Sequence, residues 1–265
     1  MPRPVTLTYR VLPTSAATAQ AAAQVFSDVA LKAAKDRGVA RIAISGGTTP
    51  KSMFALLADP AEPFLKQVPW DRIELYWVDE RCVPPDHPES NYRMTREALL
   101  SKVPLPAEQV HRMEGELEPE VAAARYESVI RNTFKLEGAQ TPTFDLILLG
   151  MGDDGHTASL FPHTEALNEM SHIVVPNHVP QKDAWRITLT WPVINQGREV
   201  AFLIEGAEKA QVLHDVFLGP YQPDTYPSQI IRPASGRLTL LLDAAAAAKL
   251  PAPADSDSTG TLELR

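Results

Sequence analysis

Short, almost wholly apolar runs recur along this chain, with helix-patterned stretches between them. The clearest are Ile42-Ala43-Ile44, Ile73 to Val78, Leu146 to Leu149, Val200 to Ile204 and Leu238 to Leu242. A strand with no polar side has to be covered on both faces. Such strands alternating with helices predict an α/β fold, a mostly parallel, Rossmann-like sheet with helices on both faces. Val5 to Val11 alternates and reads as a first strand. Thr14 or Ser15 can cap a helix that runs to about Arg37 and stops at Gly38. Further helices are expected through Phe54, Leu56 and Leu57, at 91–102, at 120–135 and at 208–217. Two more short strands are expected at Ile173 to Val175 and Ile187 to Thr190. The Ala244 to Ala248 run reads as the start of a terminal helix. Residues 1–250 are expected to form one domain, and 251–265, whose first part is Pro-, Asp- and Ser-rich, a flexible C-terminal tail.

Composition narrows the partners. The formal net charge is −8, which favours neither nucleic acid nor an anionic membrane surface. An anionic substrate would need a local group of cations. Cys82 is the only cysteine, so an intrachain disulfide and a cysteine-based zinc site are both excluded. No apolar run approaches the roughly 20 residues of a membrane helix, and Met1-Pro2-Arg3-Pro4 does not open a signal peptide. The expected setting is the cytoplasm and the expected partner a small molecule. The sequence leaves the oligomeric state open.

Each apolar run ends in a polar motif. Ser45-Gly46-Gly47-Thr48-Thr49 lies between a strand and a helix, where free N–H groups and the helix dipole suit an anion. Lacking the G-x-x-x-x-G-K-[ST] pattern, it is not a Walker loop. A plain βα turn with a Thr cap is the alternative. Asp79-Glu80-Arg81-Cys82 follows the next strand. Its bland reading is an internal ion pair, and its functional one is Arg81 offered to an anion. Cys82 has no local histidine and reads as a small buried hydrophobe.

Gly150-Met151-Gly152-Asp153-Asp154-Gly155-His156 follows Leu149. Its glycines spell G-x-G-x-x-G, but Asp153 and Asp154 would oppose a pyrophosphate, and Pro162 comes too soon for the long helix of a dinucleotide fold. His156 reads as a general base, and Asp154 can orient it or bind substrate. No H-E-x-x-H spacing is present, so no catalytic metal is expected. Arg186 opens one later strand and Lys209 the helix after another; alone each would be a solvated charge. A parallel sheet would gather these ends at one edge, placing a phosphate cradle, a base and cations in one cleft.

Taken together, Ile44 to Pro50, Trp77 to Pro84, Ser90-Asn91-Tyr92, Leu149 to Pro162, Arg186 to Thr190 and Gly206 to Lys209 closely resemble the 6-phosphogluconolactonase family of the glucosamine-6-phosphate deaminase-like superfamily. The resemblance implies hydrolysis of a phosphosugar lactone, 6-phospho-D-glucono-1,5-lactone, without metal or organic cofactor. It implies that His156 activates water, and that Gly46-Gly47-Thr48, Arg81, Arg186 and Lys209 surround the substrate, its phosphate among the cations. The deaminases of the superfamily carry a Glu shortly after their Asp-Gly-His motif. Phe161 stands there in this chain and cannot transfer a proton, which favours lactonase. Asp79 takes the place of the deaminases' proton-abstracting Asp and is expected to be structural or to position substrate.

Overall fold

The computed structural model describes residues 5–234, 236–253 and 258–264. Its strands are β1 (Val5–Leu12), β2 (Ala40–Ile44), β3 (Ile73–Trp77), β4 (Asp79–Arg81), β5 (Val110–His111), β6 (Leu146–Leu149), β7 (Val174–Val179), β8 (Ala184–Leu189), β9 (Glu199–Ile204), β10 (Arg237–Asp243) and β11 (Thr259–Leu264). Its helices are α1 (Ser15–Arg37), α2 (Thr48–Leu57), α3 (Phe64–Gln67), α4 (Asn91–Thr95), α5 (Pro119–Phe134), α6 (Trp191–Ile194) and α7 (Ala210–Phe217).

The main sheet has the order β11-β1-β10-β9-β6-β2-β3-β5 and is parallel except for β11. Alternate residues of one strand enter different cores. Ile42, Leu146 and Leu148 face one side with Phe26, Phe54 and Trp70; Ala43, Ile147 and Leu149 face the other with Tyr126, Ile130 and Leu213. The inner face of α1 is lined by Ala22, Ala23, Ala30 and Ala33. The helix starts where Thr14 Oγ1 accepts the Ala17 N–H at 3.2 Å and stops at Gly38, φ +81°, as expected.

The chain moves outward in one direction through β2 and β3, then returns to place β6 on the other side of β2. The loops after β2 and β6 therefore diverge and leave a crevice at the strands' carboxyl ends. That is the standard ligand position in an open α/β sheet.

Three expectations need correction. The strands around 173–190 do not join the main sheet; β4, β8 and β7 form a separate antiparallel sheet in that order. Arg186 is thus inside a strand, paired with Arg81, rather than at a parallel strand's carboxyl end. The reason lies at Val78. Its N–H bonds Ile44 in the main sheet, while its carbonyl accepts Leu189 of the small one, so one extended segment serves both. The second correction concerns 251–265. Thr259–Leu264 pairs with β1, placing Gly260 over the Tyr9 ring and burying Leu264. The polar composition of the preceding residues hides this alternation. Residues 254–257 and Met1 to Pro4 lie outside the described residues. Ala244 to Ala248 yields one 3-10 turn at Ala246–Lys249 rather than a helix. No helix among the described residues is long and apolar enough to cross a membrane.

Candidate active site

A cleft of about 380 Å³ opens at the carboxyl ends of β2, β6 and β9. It is lined by Ser45, Gly46, Gly47, Thr48, Arg81, His156 and Lys209, the expected set without Asp154 and Arg186. Asp154 stands beside His156, and Arg186 across the strand pair from Arg81.

The Gly-Gly-Thr turn is shaped by a close approach. A Cβ on Gly46 would lie 1.8 Å from Asn91 Oδ1, so only glycine fits there. Gly47 has φ +115°, a conformation that side chains oppose. The first backbone bond of α2 is Lys51 N–H to Gly47 at 3.2 Å, so the N–H groups of Thr48 and Thr49 have no helical partner. Ser45 Oγ is buried and has no hydrogen-bond partner.

In the acidic strand the internal ion pair does not form. Glu80 is buried and accepts from the N–H groups of Arg81, Asn91 and Tyr92, each at 2.8 Å, and from Ser90 Oγ at 3.0 Å. It thereby caps α4. Burial pushes its carboxyl up, against those four bonds. The Arg81 guanidinium donates to the Glu89 carbonyl. Among the described residues neither Arg81 nor Arg186 pairs with a carboxylate, although they are direct cross-strand partners. Burial and then the Arg81 charge hold the Arg186 guanidinium below its ordinary range. Like charges so placed repel unless an anion lies near them.

The histidine turn is tightly bonded. Gly152 N–H bonds the His156 carbonyl at 2.9 Å, and Thr157 Oγ1 donates to the Gly150 carbonyl at 2.8 Å. His156 Nδ1 lies 2.5 Å from Asp154 Oδ1, which also accepts the His156 N–H at 3.0 Å. Burial opposes ionisation of Asp154, but its bonds from His156 prevail and hold it below the usual carboxylate range. An ionised carboxylate only accepts, so in the neutral imidazole Nδ1 carries the hydrogen and Nε2 the lone pair. Phe161 stacks on the imidazole at 3.9 Å between centroids and 20° between planes.

Lys209 Nζ is ion-paired with Asp153. The cleft also receives Glu205, Asp153 and Asn91, to which sequence reasoning gave no role. Glu205 stands directly after the apolar run of β9, the same signal that drew attention to Asp79. Its Oε2 accepts Thr49 Oγ1 at 3.1 Å; burial, joined by the Asp243 charge, pushes its carboxyl up. Cys82 is half-buried and its thiol is raised to about 11 by burial. Among the described residues no three His, Cys, Asp or Glu side chains are grouped to hold a metal.

A larger hollow, about 530 Å³, lies between α5 and β7. Two of its carboxylates hold neighbouring backbone. Glu127 accepts the Ile173 N–H at 2.8 Å and Glu169 the His172 N–H at 2.9 Å. It presents no convergent polar set of the kind the 380 Å³ cleft holds.

Comparison with known proteins shows the family of the chain. The family described as glucosamine-6-phosphate isomerases/6-phosphogluconolactonase matches residues 13–240. The 6-phosphogluconolactonase of Synechocystis sp. is 44% identical over 214 residues, 80% of this chain and 85% of that protein. That of Nostoc sp. is 44% identical over 220 residues, 82% of this chain and 88% of that protein. The solved 6-phosphogluconolactonase of Trypanosoma brucei superposes with a TM-score of 0.79 at 27% identity, covering 93% of this chain and all of the other.

Proposed function

The chain belongs to the glucosamine-6-phosphate isomerase/6-phosphogluconolactonase family, and from that premise we propose that it hydrolyses 6-phospho-D-glucono-1,5-lactone to 6-phospho-D-gluconate, a step of the oxidative pentose phosphate pathway. The observation that carries the mechanism is the His156–Asp154 contact at 2.5 Å on the wall of the cleft.

Substrate enters with its phosphate among Arg81, Lys209 and the neighbouring Arg186. The N–H groups of Gly46, Gly47 and Thr48 supply further donors. Neutral His156 takes a proton from water through Nε2, and the oxygen of that water adds to the lactone carbonyl. Donors aimed at the resulting oxyanion are each worth about 3 kcal/mol in comparable sites. The intermediate collapses by breaking the bond to the ring oxygen, which takes the proton back from His156. The water is thereby divided between the new carboxyl and hydroxyl groups. Asp154 favours the imidazolium formed between the two transfers. His156 does this work without a metal or organic cofactor. Phe161 offers the ring an apolar face, and it cannot serve as the acid that sugar ring opening in a deaminase requires.

The test is a pair of assays on the purified protein. With lactone generated in situ, hydrolysis well above the spontaneous rate is expected. With glucosamine 6-phosphate, no ammonia is expected. Ammonia release without lactone hydrolysis would replace this reading with the deaminase one. Lys209→Ala and Arg186→Ala should each raise KM more than they lower kcat; unchanged KM in both would undo the phosphate placement.

A further inference from the structure

Asp79 is a buried carboxylate on the cleft wall, and the mechanism above gives it no proton to move. We propose that Asp79 and Ser159 are positioning residues, an anchor that fixes the turn after His156 and through it the imidazole. This rests on His156 being the base.

The turn needs an anchor. Ala158 has φ +48°, left-handed backbone that a residue with a Cβ seldom adopts. Such a conformation persists only where its neighbours hold it. Ser159, the next residue, is buried, and all its polar groups are engaged by the small sheet. Its hydroxyl donates to Asp79 Oδ2 at 2.7 Å, on β4. Its N–H donates to Thr188 Oγ1 at 3.2 Å, on β8. Its carbonyl accepts Asn177 Nδ2 at 2.8 Å, on β7. Each strand of that sheet contributes one contact. In register Asp79 faces Thr188, and Asn177 faces Arg186, two residues along β8, so the three contacts lie on one face.

The chain of contacts continues across the cleft. Asn91 Nδ2 donates to the Asp79 carbonyl at 3.0 Å and approaches Asp79 Oδ1 at 3.4 Å. The same Asn91 side chain closes over Gly46. Asp79 therefore links the histidine turn to the Gly-Gly-Thr turn. Two residues after Ser159, Phe161 stacks on His156. A slip at Ser159 would disturb both the backbone and the stacked ring that orient the base. A small misplacement of a catalytic group costs up to about a hundredfold in rate.

The experiment compares Ser159→Ala, Asp79→Ala, the double variant, Ser159→Thr and Thr188→Val in the full chain. Readouts are kcat and KM for the lactone, inhibition by inorganic phosphate, and the downfield proton resonance of the His156–Asp154 bond. Ser159→Ala should lower kcat about tenfold or more, leave KM and phosphate inhibition within about twofold, and shift or broaden the resonance. Ser159→Thr, which keeps the hydroxyl, should recover most of the kcat. Thr188→Val isosterically removes the Ser159 N–H contact, together with the hydroxyl's own bond to the Leu189 carbonyl, and should show the same pattern at smaller size, even if Ser159→Ala folds poorly. The double variant should lose no more than Asp79→Ala alone. Unchanged kcat and resonance in Ser159→Ala, a loss confined to KM, or losses that multiply in the double variant would overturn the proposal. The resonance reads ring placement directly, so a failure of the base assignment in His156→Ala would be seen separately.

Discussion

Gly152 leaves the space that the His156 ring occupies. A Cβ there would sit 2.1 Å from Nδ1 and 2.8 Å from Asp154 Oδ1. Gly152→Ala should therefore cut kcat about a hundredfold, with a thermal midpoint close to wild type; near-normal kcat would mean the ring geometry is not needed. Cys82 should behave as an inert thiol. With its pKa near 11, the thiolate is scarce at neutral pH, so the folded protein should label slowly with iodoacetamide and quickly once unfolded. Fast labelling of the folded form would contradict that. Much of the site could be read at this scale because its signals are local. Asp154 and His156 are two residues apart, and the Gly-Gly-Thr turn is continuous. Contacts such as Thr49 to Glu205 or Ser159 to Asp79 join segments far apart in the chain, and no spacing rule reaches them.

Helix α1 shows how far element boundaries follow from local chemistry. Its Thr14 cap and Gly38 stop were both legible, since each acts within one turn. Thr14→Ala should destabilise the fold by about 1 kcal/mol and leave kcat unchanged. No loss in a urea titration would show that the cap bond is not significant. The small sheet was not legible. Asp79–Arg81 carries no strand pattern, and its place in a sheet comes from β8, which is distant in sequence. The terminal strand was missed for a different reason, because polar residues precede it. Leu264 and the contact of Gly260 with Tyr9 give it an apolar face. Deleting 258–265 should lower the thermal midpoint while sparing the cleft, which lies at the other strands' carboxyl ends; loss of kcat at a temperature well below that midpoint would contradict this.

At the scale of the whole molecule, the reversal of strand order between β2 and β6 brings the Gly-Gly-Thr turn and the histidine turn to one cleft. Strand order was not in the sequence, but apolar strands ending in chemistry-bearing loops were enough to predict a shared edge. Charge sets a pH limit on the same scale. Burial opposes ionisation of Glu169, yet the N–H groups of His172 and Ser171 and the His172 ring lower it from 4.5 to about 2. A lowered carboxyl stabilises the fold above its ordinary pKa, and that contribution is lost as pH falls from about 4.5 towards 2. The urea midpoint of Glu169→Gln should lie below wild type at pH 6 and converge with it near pH 2; a constant gap would show no linkage. Glu80 and Glu205, both raised, have the opposite sign and favour the fold in acid. The proposed base of the lactone hydrolysis is His156. That role is tested most directly by the hydrolysis rate of 6-phosphogluconolactone with wild type, with His156→Ala and with no protein. Strong acceleration by wild type and a loss of about a hundredfold or more in the variant are predicted. Equal acceleration by both would contradict the assignment of His156, and no acceleration by either would contradict the reaction itself.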